Sequence, residues 1–482
     1  MASANQPDSP IGRAVITRSH NGRTPVTSVP REAPRPGRRG RRLGTCRASW
    51  GCGAFAAALG RRPRPGVRPC PPTTSGRAEH GDGRPCAPRP PAARRVTAPA
   101  PGGAGRGGER GAGLVTLFLT GDVMLGRGVD QILPRPGDPR LREEYVRDAR
   151  SYVALAERAS GPIPAPVAPT WPWGEALDVL ERAAPQVRIL NVETSITGRG
   201  EFAPGKAVHY RMHPANLPAL AVARPDVCVL ANNHVLDFGR RGLTDTLDAL
   251  AGAGLGAAGA GRDAAAAHAP AAVPVGPAAR VLVFAVGMSS SGIPPGWAAT
   301  ADGAGVACVP EPTAAAAAAL AGRVRQAKRP GDLAVVSVHW GSNWGHEVPR
   351  EQIRFAHALV DGGADLVHGH SSHHPRPLEV YRGRLILYGC GDFIDDYEGI
   401  RGHEEYRADL RLAYLVSLAA GTGRLARLRM VPLRARRMRL ERAPAQDRAW
   451  LRATLDAISE GVEVTLEPDG TLGLAEGAPT GG

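Results

Sequence analysis

Four histidines fall within seven consecutive positions of this 482-residue chain. The stretch 366–375 reads L-V-H-G-H-S-S-H-H-P and contains His368, His370, His373 and His374. The apolar residues before it predict a short buried strand, so the histidines lie where a strand ends and a loop begins, a usual place for ligand chemistry in α/β sheets. Neutral imidazole is the commonest metal ligand in proteins. The stretch therefore predicts a metal site; the competing interpretation is a solvated loop whose histidines titrate near pH ~6.5.

Polar side chains that can bind a metal follow four other predicted strands in the same way. They are Asp122 after the apolar run 115–120, Asn191 and Glu193 after 187–190, Asn233 and His234 after 227–230, and His339 after 333–338. Because ligand sites in α/β sheets gather at the carboxyl ends of strands, we expect these side chains to line one site. Local alternatives remain open for Asp122, which could cap the next segment, and for Asn233, which could be a turn residue.

Strands alternate with helical segments along the body of the chain. Further strands are predicted at 280–286, 363–367, 384–388, 412–419 and 427–433, and helices at 141–158, 174–184, 214–223, 243–253, 313–328 and 351–361. This alternation is typical of a layered α/β fold.

The net charge of +15 belongs to the N-terminal segment. Residues 1–113 contain 21 arginines and 5 acidic residues, whereas the rest of the chain contains 39 basic and 40 acidic residues. The segment is rich in Pro, Gly and Arg and has no sustained apolar period, so we predict a disordered leader over residues 1–113. Such a tail can bind nucleic acid through charge alone, but a solvated tail is the preferred interpretation and no specific nucleic-acid partner is expected. The folded domain is predicted at 114–435, with a C-terminal helix and tail at 436–482.

Cysteine usage and apolar runs bear on the compartment. Seven cysteines are present without a CxxC pair, which favours a reducing compartment over a disulfide framework. No run of 18 apolar residues occurs, so no transmembrane segment is predicted. We therefore expect a cytoplasmic protein. The alternative is an exported or membrane-associated one, if translation starts internally and the apolar run 51–60 belongs to a signal.

Five motifs, in this order along the chain, resemble the CapA family of capsule proteins associated with poly-γ-glutamate synthesis. They are G-D-V-M-L-G-R at 121–127, N-V-E at 191–193, A-N-N-H-V-L-D-F-G at 231–239, H-W-G at 339–341 and H-G-H-S-S-H at 368–373. The run 388–397 resembles the same family; its Asp392 is expected to cap a turn or to support the site from behind. CapA-like domains are in turn similar to calcineurin-like metallophosphoesterases. The resemblance therefore implies a metallophosphatase-like α-β-β-α sandwich with a metal site at its strand ends.

The resemblance also implies roles for individual residues. Asp122 and His373 would bind a first metal, Glu193 would take the bridging carboxylate position ahead of Asn191, and Asn233, His339 and His370 would complete the second metal's ligands. His234 would face the substrate and stabilise its charge or protonate the leaving group. Asp237 could fix the tautomer of His234, or belong to a helix-entry turn. Arg211 could bind an anionic substrate group, or form a surface salt bridge.

Three departures from the metallophosphoesterase pattern affect the expected chemistry. Met124 stands where a histidine is usual, Glu193 is longer than the usual aspartate, and His370 and His373 are one residue further apart than the usual pair. A thioether is a poor ligand for hard divalent ions. We predict one or two divalent ions, with Mn, Fe, Zn and Mg not distinguished, and a phosphoester hydrolase acting on an anionic substrate. The alternative is a non-hydrolytic accessory protein that binds an anionic polymer such as poly-γ-glutamate alongside the capsule-synthesis machinery.

Overall fold

The computed structural model describes residues 113–475. The predicted disordered leader, except for residue 113, and the last seven residues of the predicted tail lie outside the described residues. The α-helices in the described range are α1 Arg127–Ile132, α2 Arg150–Ser160, α3 Ala176–Ala183, α4 Pro218–Ala221, α5 Gly239–Gly252, α6 Ala264–His268, α7 Ala314–Ala327, α8 Arg350–Asp361 and α9 Ala445–Ile458.

The strands of the same range fall mainly in two sheets. They are β1 Leu114–Val123, β2 Val187–Val192, β3 Ser195–Ile196, β4 Arg211–Met212, β5 Val227–Val229, β6 Gly256–Ala258, β7 Ala260–Gly261, β8 Ala271–Pro274, β9 Arg280–Gly287, β10 Gly305–Val306, β11 Leu333–His339, β12 Leu366–His370, β13 Leu378–Tyr381, β14 Arg384–Leu387, β15 Asp392–Ile394, β16 Leu410–Ala419, β17 Leu425–Ala435, β18 Leu440–Arg442, β19 Val464–Leu466 and β20 Leu472–Leu474. The protein is therefore a mixed α/β protein, as the alternating pattern predicts.

The first sheet is organised around β1, and its main path runs β19-β20-β17-β16-β1-β2-β5-β6. β1, β2, β5 and β6 are parallel to one another, whereas β16 and β17 are antiparallel. The short strand β15 also pairs in parallel with β1 and places Asp392 opposite Asp122. The parallel half of this sheet therefore ends at the predicted site.

The second sheet has the order β13-β14-β12-β11-β9-β8. Its four central strands are parallel, and the antiparallel strands β13 and β8 form its edges. The register places His339 at the end of β11 directly opposite His370 at the end of β12. The chain thus brings two of the predicted ligands together by strand pairing alone.

Strand β11 is covered on both faces, by the first sheet on one side and by helices on the other. All seven of its residues are buried. Val335 belongs to a core that contains residues of both sheets, whereas Val336 and Val338 belong to a core shared with α7 and α8. Because successive side chains of a strand point to opposite faces, a continuous apolar run is needed for a strand covered on both sides. A third core joins the other face of the first sheet to helices that include α1, α2, α3 and α5.

The structure corrects two predicted helices. The segment 141–158 is helical only from Arg150, because residues before it are held by other contacts: Arg140 bridges Asp148 in an antiparallel β-bridge, and Glu143 pairs with the buried Arg127. The segment 214–223 divides into a 3-10 turn, Pro214–Asn216, and the short helix α4. Pro218 lacks the N–H that a continuous helix would use.

Strand ends also move by a few residues from their predicted positions. β1 and β2 extend to Val123 and Val192, so Asp122 and Asn191 are the second-last residues of these strands and do not lie in the loops that follow. The histidine strand begins at Leu366 and ends at His370. Since each of these strands has a parallel neighbour, the ladder continues into the polar residues that local patterning assigns to loops.

The C-terminal segment contributes a helix, α9, and three strands, β18, β19 and β20. α9 lies within the expected 436–482 segment, and β20 pairs with β17 of the first sheet. Cys228, Cys308 and Cys390 are free thiols. Among residues 113–475, no helix has both the length and the apolar character needed to cross a membrane.

Candidate metal centre

The candidate site lies where the carboxyl ends of β1 and β2 meet those of β11 and β12. A hydrogen bond from His368 Nε2 to the Thr120 carbonyl oxygen, 2.8 Å long, joins β12 of one sheet to β1 of the other. Asp122 lies two residues beyond Thr120, and His370 two residues beyond His368. Two strands connected across the sheets therefore each present a predicted ligand just past the connection.

Two groups of buried side chains in this region have the composition of a metal site. The first group is Asp122, His339 and His370, and the second is Asp122, His373 and Asp392. Within each group the possible ligand atoms lie within 4.8 Å of one another. Asp122 belongs to both groups, so one carboxylate connects the two. Four of the six predicted metal ligands are brought together here.

Unsatisfied carboxylate oxygens fit a cation at this place. Asp122 Oδ2 and Asp392 Oδ2 are buried and have no hydrogen-bond partner within the described part of the chain. Burial, followed by the nearby Asp392, raises the pKa of Asp122 to about 7. Buried carboxylates of this kind are usually paired with a cation or bound to a metal. Carboxylate and imidazole donors together suit several divalent ions, so the residues present fit the predicted divalent metal.

His339 and His370 are held as neutral imidazoles. Their Nδ1 atoms lie 2.7 Å apart, and Ser337 Oγ lies 2.8 Å from His370 Nε2. Burial is the main reason that the pKa values of both rings fall well below the usual range, and other nearby histidines add to the effect. Neutral imidazole is the form that binds a metal. The hydroxyl of Ser337 fixes the orientation of one ring, as outer hydrogen bonds commonly do in metal sites.

His373 has a different electrostatic environment. Its Nδ1 lies 3.0 Å from Asp392 Oδ1. Burial would lower the pKa of His373, but the carboxylate of Asp392, supported by Asp122, raises it overall. A metal that bound His373 would therefore have to displace a firmly held proton. The two ligand groups differ in this respect, because the imidazoles of the first group carry no such proton.

Glu193 and Asn191 lie beside the ligand groups. The Asn191 amide donates to Asp122 Oδ1 over 2.7 Å and to Glu193 Oε2 over 3.2 Å. Glu193 Oε1 lies 3.8 Å from His234 Nε2 and 3.8 Å from His339 Nε2. Burial and the neighbouring Asp122 raise the pKa of Glu193 well above its usual value. Asn191 thus connects two carboxylates, and the bridging role of Glu193 stays a prediction.

Asn233, the predicted carboxamide ligand, follows β5 and contacts the first ligand group. Its Oδ1 lies 3.2 Å from His339 Nε2. The preceding residue, Asn232, donates to Asn191 Oδ1 over 3.1 Å and accepts the backbone N–H of His234. This network fixes the turn that carries Asn233 and His234, so both the turn and the ligand interpretations of Asn233 fit its position.

His234 and Asp237 form a buried pair. His234 Nδ1 lies 2.6 Å from Asp237 Oδ2, which leaves Nε2 facing Glu193. Burial lowers the pKa of His234 to about 4, so the ring is neutral at pH 7. Burial would raise the pKa of Asp237, but His234 and Lys206 lower it below the usual value. The carboxylate is therefore placed where it can fix the His234 tautomer; it also lies in the turn that enters α5, so both interpretations of Asp237 fit its position.

Lys206 is a site residue that no sequence motif predicts. Its ammonium group contacts the Asp237 carboxylate and the carbonyl oxygen of Asn233, and it lies 3.3 Å from His234 Nδ1. Asp237 also accepts the backbone N–H of Tyr210 over 2.7 Å. A single carboxylate thus fixes the loop before β4 against His234. Lys206 stands in an irregular segment without a motif, so no local signal could have found it.

Asp392 lies closer to the centre of the site than its sequence context predicts. The sequence predicts that it caps a turn or supports the site, whereas the structure places it in a ligand group with Asp122 and His373. Gly391 before it has φ 76°, a conformation that favours glycine, and accepts the Asp122 backbone N–H over 3.0 Å. The turn starts the strand β15, which brings Asp392 beside β1. A signal was present, since Asp392 also follows a predicted strand.

Two further residues singled out in the sequence are Arg211, the predicted anion-binding residue, and Met124, the departure from the metallophosphoesterase pattern. The Arg211 guanidinium lies 3.6 Å from Asp138 Oδ2 and stacks over the ring of Phe238, so the salt-bridge interpretation fits its contacts and the anion-binding role stays a prediction. Met124 is fully buried, and its sulfur accepts a hydrogen bond from the Tyr397 hydroxyl over 3.6 Å. In the sequence, Met124 stands where the resemblance to metallophosphoesterases leads us to expect a histidine.

The fold and the site define an α/β protein with a buried His/Asp cluster able to hold a metal ion. Comparison of the sequence with known protein families shows which family it belongs to. Residues 116–397 match the model of the bacterial capsule synthesis protein PGA_cap. The chain belongs to this family, which confirms the resemblance drawn from its motifs. A probable polyglutamine synthesis accessory protein of Mycobacterium tuberculosis is 56% identical over 368 residues, which cover 76% of this chain and 97% of that one.

Two more distant relatives come from bacilli. The PGA biosynthesis protein CapA of Bacillus subtilis is 29% identical over 295 residues, which cover 59% of this chain and 64% of that one. The capsule biosynthesis protein CapA of Bacillus anthracis is 27% identical over 287 residues, which cover 58% and 60% of the two chains.

Proposed function

We propose that this protein is a metal-dependent phosphoester hydrolase of capsule or poly-γ-glutamate synthesis, with a metallophosphatase-like α-β-β-α sandwich around the site. The observation that carries the proposal is the sharing of Asp122 between two groups of possible ligands. Two cations that share a carboxylate suit an in-line displacement at phosphorus. The names of the relatives from Mycobacterium tuberculosis and Bacillus support a place in polymer or capsule synthesis.

In this proposal, some residues of the site would bind metal and others would transfer or support the transfer of a proton. Asp122, His339 and His370 would hold one divalent ion, and Asp122, His373 and Asp392 a second, with Glu193 and Asn233 at their edge. When bound, such ions polarise a phosphoryl oxygen and lower the pKa of a bound water. His234 would exchange a proton with the leaving group through Nε2, because Asp237 occupies Nδ1. Lys206 would hold Asp237 and the loop that carries Tyr210 in place.

The test is turnover of a generic phosphodiester and a generic monoester by the full-length protein in added Mn²⁺. His370→Ala should lose at least about a hundredfold in rate, because one metal ligand is gone. His357→Ala is the matched control, since His357 lies on α8 and pairs with Glu379 over 2.8 Å away from the ligand groups. Equal rates in wild type and His370→Ala, or no turnover by a metal-loaded wild type, would refute the hydrolase.

A specific observation favours a second candidate, a non-hydrolytic accessory protein that binds an anionic polymer. Met124 replaces the usual histidine with a thioether, which weakens the second ligand group as a metal site. The Mycobacterium tuberculosis relative is named as an accessory protein. This candidate predicts that purified poly-γ-glutamate binds the protein, that His370→Ala alters the binding, and that no phosphoester is turned over.

A further inference from the structure

Two tyrosine hydroxyls form a pair beside the second ligand group. Tyr210 precedes β4 and Tyr397 follows β15, and their hydroxyl oxygens lie 2.7 Å apart with Tyr210 as the donor. The Tyr397 hydroxyl in turn donates a hydrogen bond to Met124 Sδ over 3.6 Å. Tyr210 is completely buried, whereas Tyr397 is partly exposed, so Tyr397 is the residue of the pair that borders solvent.

The pair lies between two histidines with different predicted roles. The ring of Tyr397 packs edge-on against His373, with centroids 5.0 Å apart. The ring of Tyr210 packs edge-on against His234, with centroids 4.6 Å apart. The hydroxyls therefore stand at the junction between a possible metal ligand and the histidine expected to face the substrate.

A buried cation fixes both rings from behind. The Arg127 guanidinium lies 4.5 Å from the Tyr210 ring centroid and 5.6 Å from that of Tyr397. It is already paired with Asp396, over 2.8 and 2.5 Å, and with Glu143, over 2.9 Å. Because its charge is committed to two carboxylates, Arg127 is suited to holding the rings in place rather than to binding a ligand.

The acceptor of the Tyr397 proton is weak. A thioether sulfur accepts hydrogen bonds poorly, whereas a phosphoryl oxygen accepts them strongly. The donor chain from Tyr210 to Tyr397 thus ends on a weak acceptor, which a phosphoryl oxygen can replace as the partner of the Tyr397 hydroxyl. Met124 occupies the place of a missing metal ligand and at the same time leaves this hydroxyl available.

We propose that Tyr397 is an anion-binding residue, whose hydroxyl donates to a phosphoryl oxygen of the ligand held at Asp122, His373 and Asp392. Tyr210 strengthens that donor by hydrogen-bonding to the Tyr397 oxygen, and Arg127 positions both rings. The inference rests on the proposed function, since it needs a metal-loaded site that accepts a phosphoryl group.

The experiment measures inorganic phosphate binding to full-length protein equilibrated with Mn²⁺, by calorimetry, together with the Mn²⁺ content. Tyr397→Phe removes one hydroxyl and should weaken phosphate binding by about tenfold or more, the value of a hydrogen bond to a charged group, with unchanged Mn²⁺ content. Tyr210→Phe should weaken it less, by about two- to tenfold, because it removes only the supporting donor. Tyr381→Phe is the matched control: its hydroxyl contacts Asp361 at the edge of the second sheet, and phosphate binding should not change.

Each other outcome rejects a distinct claim. Phosphate affinity of Tyr397→Phe equal to wild type, with Mn²⁺ bound in both, overturns the tyrosine inference and leaves the proposed hydrolase standing. Loss of Mn²⁺ itself in a folded Tyr397→Phe would show that the ring serves His373 and would likewise overturn the anion-binding role. A wild type that takes up neither Mn²⁺ nor phosphate overturns the proposed function and this inference together. Thermal unfolding of each variant shows that the comparison is made between folded proteins.

Discussion

Substitution of Asp122 by asparagine is expected to change stability in opposite directions with and without metal. Asp122 is fully buried, its Oδ2 has no partner within the described residues, and Asp392 carries a second such oxygen close by. The metal-free protein therefore keeps two neighbouring carboxylates in a buried place, where His373 pairs with Asp392 and leaves Asp122 Oδ2 without a partner among the described residues. Asparagine keeps the shape of the side chain, and its Oδ1 can still accept the Asn191 amide.

The magnitude follows from the cost of an unpaired buried charge. Leaving such a group without a partner costs about 1–3 kcal/mol or more, so metal-free Asp122→Asn should be more stable than metal-free wild type by about 1–3 kcal/mol. A metal that binds only the folded wild type stabilises it by about 2.7 kcal/mol when its free concentration is about 100 times Kd. The variant lacks the shared ligand and should gain little. The order of stability should therefore reverse when metal is added.

The assay is urea unfolding of full-length wild type and variant, each with a chelator and with Mn²⁺. Asp332→Asn is the matched control, because Asp332 is a buried aspartate paired with Arg280 over 2.5 Å at the start of β9, away from the ligand groups. It should lose stability equally in both conditions. An Asp122→Asn variant that is less stable than wild type in chelator, or that gains as much stability from Mn²⁺ as wild type, would contradict this prediction.

Three further predictions concern pH, packing and the departure at Met124. The hydrogen bond from Arg280 lowers the pKa of Asp332, so the free energy of unfolding of the wild type, measured in urea at pH above ~4, should exceed that of Asp332→Asn by about 1–2 kcal/mol. This difference should vanish as the pH falls through the lowered pKa of Asp332, and a difference of the same size at about pH 2 would contradict the prediction. Leu385→Ala should lower the free energy of unfolding by about 2–5 kcal/mol, because Leu385 is fully buried between the sheets. Leu466 is 43% exposed, so Leu466→Ala should change the free energy of unfolding by less than about 0.5 kcal/mol. Similar urea midpoints for the two variants would refute this assignment of the core. Met124→His should raise the bound metal per chain in elemental analysis, because an imidazole replaces a thioether beside Asp122, and an unchanged content would show that position 124 does not limit metal binding.

The strands and the strand-end ligands could be predicted because both leave a local signal. Buried parallel strands such as β11 are continuous apolar runs, and the polar residue that ends each run stands out against them. Asp122, His339 and His370 follow this pattern, and the register of the sheets then brings them together. Here local sequence and tertiary pairing agree.

The remaining parts of the site depend on contacts between distant segments. Asp392 gains its position from the pairing of β15 with β1, about 270 residues earlier in the chain, and Lys206 gains its position from Asp237. The charged stretch before Arg150 has a helical composition, but Glu143 is held by the buried Arg127 instead. In each case a long-range ion pair or strand pairing decides the position, and neither leaves a periodic pattern in the local sequence.

The most direct test of a metal centre built on Asp122 is elemental analysis of the full-length protein after equilibration with Mn²⁺ and removal of free metal. Wild type and the Asp332→Asn control should retain the same amount of bound metal, and Asp122→Asn should lose the metal of both ligand groups because it removes the ligand that they share. A wild type without bound metal, or an Asp122→Asn variant that retains as much as wild type, would contradict the account.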